Sequence, residues 1–226
     1  MTTSFIDSLT TIDINNSNGL GSNWIQGTVA PNSANNNVNG AAAKIAVATK
    51  DGLNCLAWQG FGISNPLEVT RAYAIPIPTY FDVRGQSQYV KCTNIKLAIG
   101  SDSSELTSGL MVQFYGSTNT FNGYMFQLFP TSGRGWRLYR ANNTIFTLLN
   151  SGTEGVDGDI WKLSSDLSNS SQVTLIVSRN GSTLVTYIDT SSSRLNYGSP
   201  SLYCQFDNNG AIAYSEWRTF SCGIGL

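Results

Sequence analysis

The stretch "QVTLIVSRNGSTLVTYIDTS" at residues 172–191 contains two segments of alternating apolar and polar residues around an Asn-Gly dipeptide at 180–181. Such alternation predicts β-strands that bury one face. Asn-Gly is a strong hairpin signal, because both residues accept the positive φ angles of a two-residue turn. The stretch therefore predicts a hairpin in which Val173, Leu175 and Val177 share one face of the sheet and Thr174, Ile176 and Ser178 the other.

Similar segments continue outward from this hairpin, separated by turns rich in Gly, Asn, Ser and Asp. The clearest pairs of strand-like segments are "GLMVQFYG" (109–116) with "GYMFQLFP" (123–130), and "GWRLYRA" (135–141) with "TIFTLLNSG" (144–152). Only "DIWKLSSDL" (159–167) has a helical pattern. Roughly twelve to fourteen strands at this spacing predict an all-β, two-sheet antiparallel sandwich that forms a single domain over residues 1–226.

Composition narrows the range of partners. Charged residues make up 12% of the chain and the net charge is −1, so we expect no nucleic acid partner, because phosphate binding requires clustered Lys and Arg. No apolar run approaches the roughly 20 residues of a membrane-spanning helix, and the N-terminal sequence "MTTSFIDSLTT" lacks the features of a secretory signal peptide. The chain has no histidine, which excludes Ser-His-Asp and Cys-His catalysis and imidazole metal ligands.

The cysteines are Cys55, Cys92, Cys204 and Cys222. None of them forms a C-x-x-C pair, and in a chain without a secretory signal free, buried or half-buried thiols are expected. A Cys204–Cys222 disulfide is the alternative.

The order and spacing of four segments resemble the concanavalin A-like (laminin-G-like) jelly-roll superfamily, and in particular its bacteriophage and prophage members. These segments are "NGYMFQLFP", "GWRLYR", "TIFTLLNSG" and "QVTLIVSRNGSTLVTYIDT". The motif "LGSNW" at 20–24 is similar to the "LGxxW" of those proteins, although the Arg that commonly precedes the turn is missing and the turn is one residue shorter. The resemblance implies a jelly roll whose first and last strands pair, with Phe5 and Ile6 beside residues 217–220.

The same resemblance implies several functions, because this fold carries lectins, glycosidases and virion modules. The hypothesis we favour is a non-enzymatic phage virion structural protein, located in the virion as a capsid decoration (cement) protein or a tail or fibre module. Its partners would be other virion proteins, and a homo-oligomer such as a trimer would suit this role. The N-terminal arm (1–12) and a flexible loop (27–43) are the segments expected to order on the particle. A lectin-like receptor-binding module is the alternative, and a polysaccharide hydrolase is the third hypothesis.

Glycan binding requires an aromatic platform beside hydrogen-bonding side chains, because sugars present apolar faces and hydroxyl groups together. The loop "YGSTNTFNGY" (115–124) offers both. Its candidate glycan-binding residues are Asn119, Phe121, Asn122 and Tyr124.

Catalysis has weaker support, because glycosidases of this fold carry closely spaced carboxylates on one strand. The nearest match is "EGVDGDIW", with Glu154, Asp157 and Asp159. The spacing differs from the Glu-x-Asp-x-(x)-Glu pattern and the two glycines indicate a turn. We therefore expect no catalytic residues.

A metal site is considered at "DINNSNGLGSNW" (13–24), where Asp13, Asn15 and Ser17 match the first three ligand positions of an EF-hand loop. Glycine stands at position seven rather than six, and Trp24 takes the place of the Glu at position twelve. We expect no cofactor, a turn without metal on Asp13, and a buried Trp24; a looser structural Ca²⁺ site is the minority alternative.

One group of basic residues is close in sequence. Arg134, Arg137 and Arg140 are expected to lie on an exposed hairpin, with contact to a neighbouring subunit as an alternative role.

Overall fold

In the computed structural model of the chain, the described residues are 4–7, 24–29, 44–50, 53–59, 69–76, 83–96, 107–117, 120–128, 135–143, 145–153, 155, 158–207 and 216–226. They form strands and turns, and no helix occurs among them. In particular, no helix of these residues is long and apolar enough to cross a membrane.

The described residues form fifteen strands. These are β1 (Ser4–Asp7), β2 (Trp24–Val29), β3 (Lys44–Lys50), β4 (Leu53–Gln59), β5 (Val69–Pro76), β6 (Gln88–Lys96), β7 (Thr107–Ser117), β8 (Thr120–Leu128), β9 (Trp136–Asn142), β10 (Ile145–Gly152), β11 (Ile160–Asp166), β12 (Val173–Arg179), β13 (Ser182–Asp189), β14 (Ser199–Asp207) and β15 (Glu216–Ile224).

The strands form two antiparallel sheets. The eight-stranded sheet has the order β13-β12-β11-β6-β15-β4-β3, and β1 also pairs with β15. The seven-stranded sheet has the order β10-β9-β8-β7-β14-β5-β2. The predicted all-β class and two-sheet arrangement are therefore confirmed.

The hairpin on which the fold prediction rests is β12–β13. Asn180 and Gly181 have φ angles of 52° and 84°, and the strands pair from Arg179–Ser182 back to Val173–Asp189. Along β12 the burial alternates as predicted, because Val173, Leu175 and Val177 are fully buried while the residues between them are half-buried.

The main core lies between the sheets. Trp161 of β11 packs against Phe126 of β8 with ring centroids 4.9 Å apart, which joins the two sheets. Burying a side chain of this size contributes about 1.5–3 kcal/mol. The other buried residues of the cluster are supplied by both sheets, as Val90, Leu110 and Leu175 illustrate.

A second buried cluster lies on the outer face of the seven-stranded sheet, which we call the outer cluster. It consists of Met111, Phe114, Phe121, Met125 and Ala141, with Tyr139 and Phe146 packed against it. On β8, Met125 belongs to this cluster while its neighbours Tyr124 and Phe126 belong to the main core. Successive side chains of a strand point to opposite faces, so the two clusters lie on opposite faces of the sheet.

A β-bulge in β7 changes which residues face the core. Gln113 has a φ of 53°, and the pairing of β7 with β8 shifts between Val112 and Tyr115. Val112 therefore faces the main core while Phe114 faces the outer cluster. The predicted pairing of β7 with β8 is confirmed, but the bulge was not predicted.

The helix predicted over 159–167 is wrong. Ile160–Asp166 is strand β11, with Trp161 and Leu163 buried. This strand pairs on both sides, with β6 and with β12. The neighbouring strands supply its hydrogen bonds, and this tertiary pairing overrides the local helical pattern.

The chain closes at β1 and β15. Phe5 pairs with Cys222 and Ile6 with Ser221, so the predicted pairing of first and last strands is confirmed, at a register shifted towards the C-terminus. Residues 4–7 thus belong to the sheet, which corrects the expectation that the whole arm 1–12 becomes ordered only on the virion particle. The predicted flexible loop 27–43 also overlaps β2, because residues 27–29 pair with β5; residues 30–43 lie outside the described residues.

Cys92 and Cys222 are free, buried thiols. Burial raises the pKa of both thiols, which keeps them protonated and unreactive. The alternative Cys204–Cys222 disulfide is wrong, because the Cys222 thiol is free. The side chains of Cys55 and Cys204 lie outside the described part of the structure.

Candidate functional site

A groove crosses the outer face of the eight-stranded sheet and encloses about 640 Å³. We call it the lysine groove. Its lining residues are Tyr89, Lys91, Ile160, Lys162, Ser178, Asn180, Gly181, Ser221 and Leu226. They come from β6, β11, β12, the turn after β12, β15 and the segment that follows it.

The alternation of side chains along each strand directs these residues to the outer face of the eight-stranded sheet. On β6, Gln88, Val90 and Cys92 are buried, so Tyr89 and Lys91 between them point away from the core. The same alternation applies to β11, where Trp161 is buried and Lys162 is half-buried on the other face.

Strand register aligns four polar residues in one row across the groove. Ser178 pairs with Lys162, Lys162 with Lys91, and Lys91 with Ser221. The row therefore crosses β12, β11, β6 and β15, perpendicular to the strands. At about 4.8 Å between neighbouring strands, its four positions span about 14 Å.

The aromatic element of the groove is Tyr89. The Nζ of Lys162 lies 4.9 Å from the centroid of its ring, within the range of a cation–π contact. Burial and, secondly, the charge of Lys91 lower the pKa of Lys162. The groove thus holds two cross-strand ammonium groups, of which that of Lys91 is exposed and that of Lys162 is half-buried next to an aromatic ring.

The β12–β13 turn forms one end of the groove, and a buried carboxylate holds it in place. Asp159 is 2% exposed and accepts hydrogen bonds from Arg179 Nε at 2.8 Å and Asn180 Nδ2 at 2.7 Å. The side-chain oxygen of Asn180 in turn accepts from the backbone N–H of Ile160 at 2.8 Å. Asn180 therefore both shapes the turn and lines the groove.

A backbone hydrogen bond fixes the other end of the groove. The N–H of Gly225 donates to the carbonyl of Ser87 at 2.9 Å, two residues before Tyr89. Gly225 has a φ of 98°, which only glycine adopts readily. The next residue, Leu226, lines the groove with its exposed side chain.

The glycan-binding residues predicted from the loop at 115–124 do not form an open site. Phe121 and Tyr124 are 0% exposed and Asn122 is 3% exposed, while Asn119 lies outside the described residues. Phe121 packs in the outer cluster, 5.1 Å from the Phe114 ring. A ligand in solution cannot contact these buried side chains, so the prediction is corrected for the three described residues.

Asn122 and Tyr124 have structural contacts instead. The Asn122 side-chain oxygen accepts from the backbone N–H of Asn143 at 2.7 Å, which supports the β9–β10 turn. The Tyr124 hydroxyl donates to Asp189 at 2.8 Å and accepts from the backbone N–H of Leu195 at 3.0 Å.

One of the arginines expected on an exposed hairpin is part of a buried ion pair. Arg140 Nη1 lies 2.8 Å from Asp189 Oδ2, and the side chains are 14% and 2% exposed. Arg140 also donates to the hydroxyl of Ser191. Arg137 is exposed as predicted and donates to the Tyr139 hydroxyl at 3.2 Å, while Arg134 is outside the described residues. The pair joins β9 of one sheet to the end of β13 of the other.

Asp159, the described member of the weak catalytic candidate, is committed to its ion pair with Arg179; Glu154 and Asp157 are outside the described residues, as is Asp13. Within the part of the chain that the structure describes, no three His, Cys, Asp or Glu side chains come together as a metal site would require. The burial of Trp24 and the proposed turn at 13–24 are likewise not described.

Sequence reasoning missed the lysine groove. The alternation of "QYVKC" (88–92) does place Tyr89 and Lys91 on one face. The assignment of 159–167 to a helix, however, removed Lys162 from any sheet. The pairing of Lys162 with Lys91 joins positions 71 residues apart, which no local pattern reveals.

Solved structures with the same architecture include lectin and glycosidase folds, whereas no protein-family model and no curated protein matches the chain. The Emp47p carbohydrate recognition domain is 12% identical with a TM-score of 0.53, over 99% of this chain and 96% of that one. A prokaryotic β-1,3-1,4-glucanase (lichenase) derived from a mouse hindgut metagenome is 10% identical with a TM-score of 0.54, over 100% of both chains. A native glycosidic hydrolase is 12% identical with a TM-score of 0.57, over 100% of this chain and 99% of that one.

At these identities the likeness concerns the fold. It confirms the concanavalin A-like jelly-roll sandwich predicted from the sequence. The structures named here do not include a phage structural protein.

Proposed function

We propose that this protein binds carbohydrate in the lysine groove and does not hydrolyse it. The observation that carries the proposal is the groove itself. It is open to solvent, and it combines the Tyr89 ring with hydroxyl, amide and ammonium groups from Ser178, Asn180, Ser221 and the two lysines. Carbohydrates need such a combination, because each sugar presents apolar C–H faces and hydroxyl groups together.

Two further observations support the proposal. The fold is shared with a carbohydrate recognition domain and with glycosidases, so this scaffold is compatible with carbohydrate ligands. Among the described residues that line the groove, none has a carboxylate side chain, whereas hydrolysis of a glycosidic bond generally requires a pair of them. Of the other carboxylates whose side chains are described, Asp159 and Asp189 are buried in ion pairs, and the half-buried Asp166 accepts hydrogen bonds from Ser87 and Ser168.

The proposal thus takes up the alternative that the sequence offered, a carbohydrate-binding module. The virion role, the partnership with other virion proteins, the homo-oligomer and the location in a virion stay predictions from the family resemblance.

The test is a glycan array followed by calorimetry with the best ligand. We expect micromolar binding that Tyr89→Ala weakens at least tenfold. Tyr197→Ala is the matched control, because Tyr197 also lies under a cation, with Arg84 Cζ 5.7 Å from its ring centroid, but it is exposed and outside the groove. Binding that is equally sensitive to both changes, or insensitive to Tyr89→Ala, would contradict the proposed site. Release of reducing sugar from the bound glycan would contradict the non-hydrolytic function.

A further inference from the structure

The two lysines of the groove are direct cross-strand partners. Lys162 and Lys91 occupy opposite positions on β11 and β6, where Cβ atoms are typically about 5 Å apart. Like charges in this arrangement destabilise a sheet. The ion pairs among the described residues are Arg140–Asp189 and Arg179–Asp159, and neither of them neutralises a groove lysine.

The surroundings reduce the ability of water to screen the charge of Lys162, whereas Lys91 is exposed. Lys162 is half-buried and lies over the Tyr89 ring. Burial and the neighbouring charge of Lys91 lower the pKa of Lys162. A negatively charged group placed between the two ammonium groups would reduce the repulsion between Lys91 and Lys162. It would also stabilise the half-buried charge of Lys162, because it would supply the missing counter-charge.

Hydroxyl groups flank the lysines on both sides. Ser178 and Ser221 continue the row beyond Lys162 and Lys91, so the order across the strands is hydroxyl, ammonium, ammonium, hydroxyl. The row is about 14 Å long at the usual strand spacing, which suits several sugar units better than one. The charges stand at the centre of the row and neutral hydrogen-bonding groups at its ends.

We infer that the lysine groove selects anionic oligosaccharides, whose carboxylate or sulfate group is held between Lys91 and Lys162 while neighbouring sugars contact Ser178, Ser221 and Tyr89. This inference rests on the proposed carbohydrate-binding function and names its ligand class. The ligand chain runs across the strands, along the row of paired residues.

The experiment compares oligogalacturonate with its fully methyl-esterified form by calorimetry on the full chain. The two probes share a backbone and differ in charge, and a heparin oligosaccharide of similar length tests sulfate as the anionic group. We expect at least one anionic probe to bind about tenfold or more tightly than the ester, since a charge-assisted hydrogen bond contributes more than a neutral one. Lys91→Gln and Lys162→Gln should each remove about tenfold of this affinity and weaken binding of the ester by a clearly smaller factor, because the glutamine amide can still hydrogen-bond a neutral sugar.

Arg137→Gln is the matched control, because it removes the same charge from the outer face of the other sheet. It should leave the affinity for every probe unchanged. Melting temperatures of the lysine variants at or above that of the parent show that a loss of affinity is not a loss of folding. In addition, an NMR titration should show the pKa of Lys162 rising when the anionic probe binds.

Several outcomes separate the inference from the proposed function. Equal affinity for charged and esterified probes, with both lost in Tyr89→Ala, would overturn the anionic selectivity and leave carbohydrate binding intact. Anion binding that survives both lysine changes or falls equally in Arg137→Gln would also overturn the inference. Absence of binding to all probes and to a broad neutral panel would overturn the proposed function and, with it, the inference.

Discussion

The outer faces of the two sheets differ in how far their side chains are exposed to solvent. On the eight-stranded sheet, Tyr89, Lys91 and Lys162 line an open groove of about 640 Å³. On the seven-stranded sheet, Met125 and Phe121 are fully buried in the outer cluster, although they also point away from the main core. Aromatic residues near asparagines are therefore poor markers of a binding face by themselves, and the useful distinction is exposure together with uncompensated charge.

The largest expected effect tests the outer cluster. Phe121→Ala should lower the free energy of unfolding by about 4 kcal/mol, because it removes a fully buried ring that packs against Phe114 and Phe146. Tyr89→Ala, which removes a half-buried ring from the other face, should lose well under half of that. Urea unfolding of both variants measures the difference. A small loss for Phe121→Ala combined with weaker glycan binding would mean that the outer cluster opens in solution and is itself a ligand site.

The next largest effect is expected at the Arg140–Asp189 ion pair, which lies between the two sheets. Asp189→Asn should cost about 3 kcal/mol, because it leaves the largely buried Arg140 without its counter-charge. The pair lies between the sheets and away from the lysine groove, so affinity for the groove ligand should stay within twofold of the parent at temperatures where the variant is folded. A change in affinity as large as that of a lysine variant would show that the groove is coupled to the interior.

The same variant has a defined pH dependence. Burial raises the pKa of the Asp189 carboxyl, but hydrogen bonds from Ser191, Arg140 and Tyr124 outweigh burial and hold the pKa below its ordinary value of 3.8. A depressed carboxyl pKa stabilises the folded state above pH 3.8, and this stabilisation is lost as the pH falls through the folded-state pKa. The parent should therefore lose stability below pH 3.8, and Asp189→Asn should lose less over that interval. Identical acid unfolding profiles would contradict the ion pair.

Local sequence patterns predicted those parts of the fold that depend on neighbouring residues. The alternation of Val173, Leu175 and Val177 and the Asn-Gly turn fixed the β12–β13 hairpin, because strand burial has a period of two and the turn requires positive φ angles. The bulge at Gln113 was not predicted, since Gln has no preference for a φ of 53° and the hydrogen bonds of Gln113 with Gln88 and Ser165 join residues that are distant in the sequence.

The candidate site was less predictable, because it depends on pairing between distant strands. The loop at 115–124 had a suitable composition, but composition does not reveal that Phe121 and Tyr124 are buried from two different sides of β8. In the same way, the sequence predicted an exposed hairpin position for Arg140, whereas in the fold it contacts Asp189, which is 49 residues away. Burial and non-local pairing are properties of the packed sandwich, and single-sequence patterns report them only where alternation is strict.

A smaller effect is expected at the end of the groove. Gly181→Ala should cost about 1 kcal/mol, because the φ of 84° disfavours a side chain. No atom of the described residues lies within 4 Å of the added Cβ, so a steric clash with them does not contribute. Gly181→Asn is the matched control, since Asn tolerates positive φ better, and it should lose less stability than the alanine variant in thermal unfolding. Equal losses in the two variants would mean that the side chain, rather than the backbone angle, is responsible.

The smallest effect has the opposite sign and bears most directly on the contrast between the faces. Lys91→Gln should raise the free energy of unfolding by about 0.5 kcal/mol, because it removes the like-charge pair with Lys162 and breaks no ion pair. The gain should shrink as salt is added, since salt screens the repulsion that the variant removes. Arg137→Gln removes the same charge from the other outer face, where its guanidinium contacts Tyr139, and should give no such gain. A loss of stability in Lys91→Gln that salt leaves unchanged would mean that the ammonium group stabilises the fold. The groove would then lack the uncompensated positive charge that distinguishes it from the outer cluster.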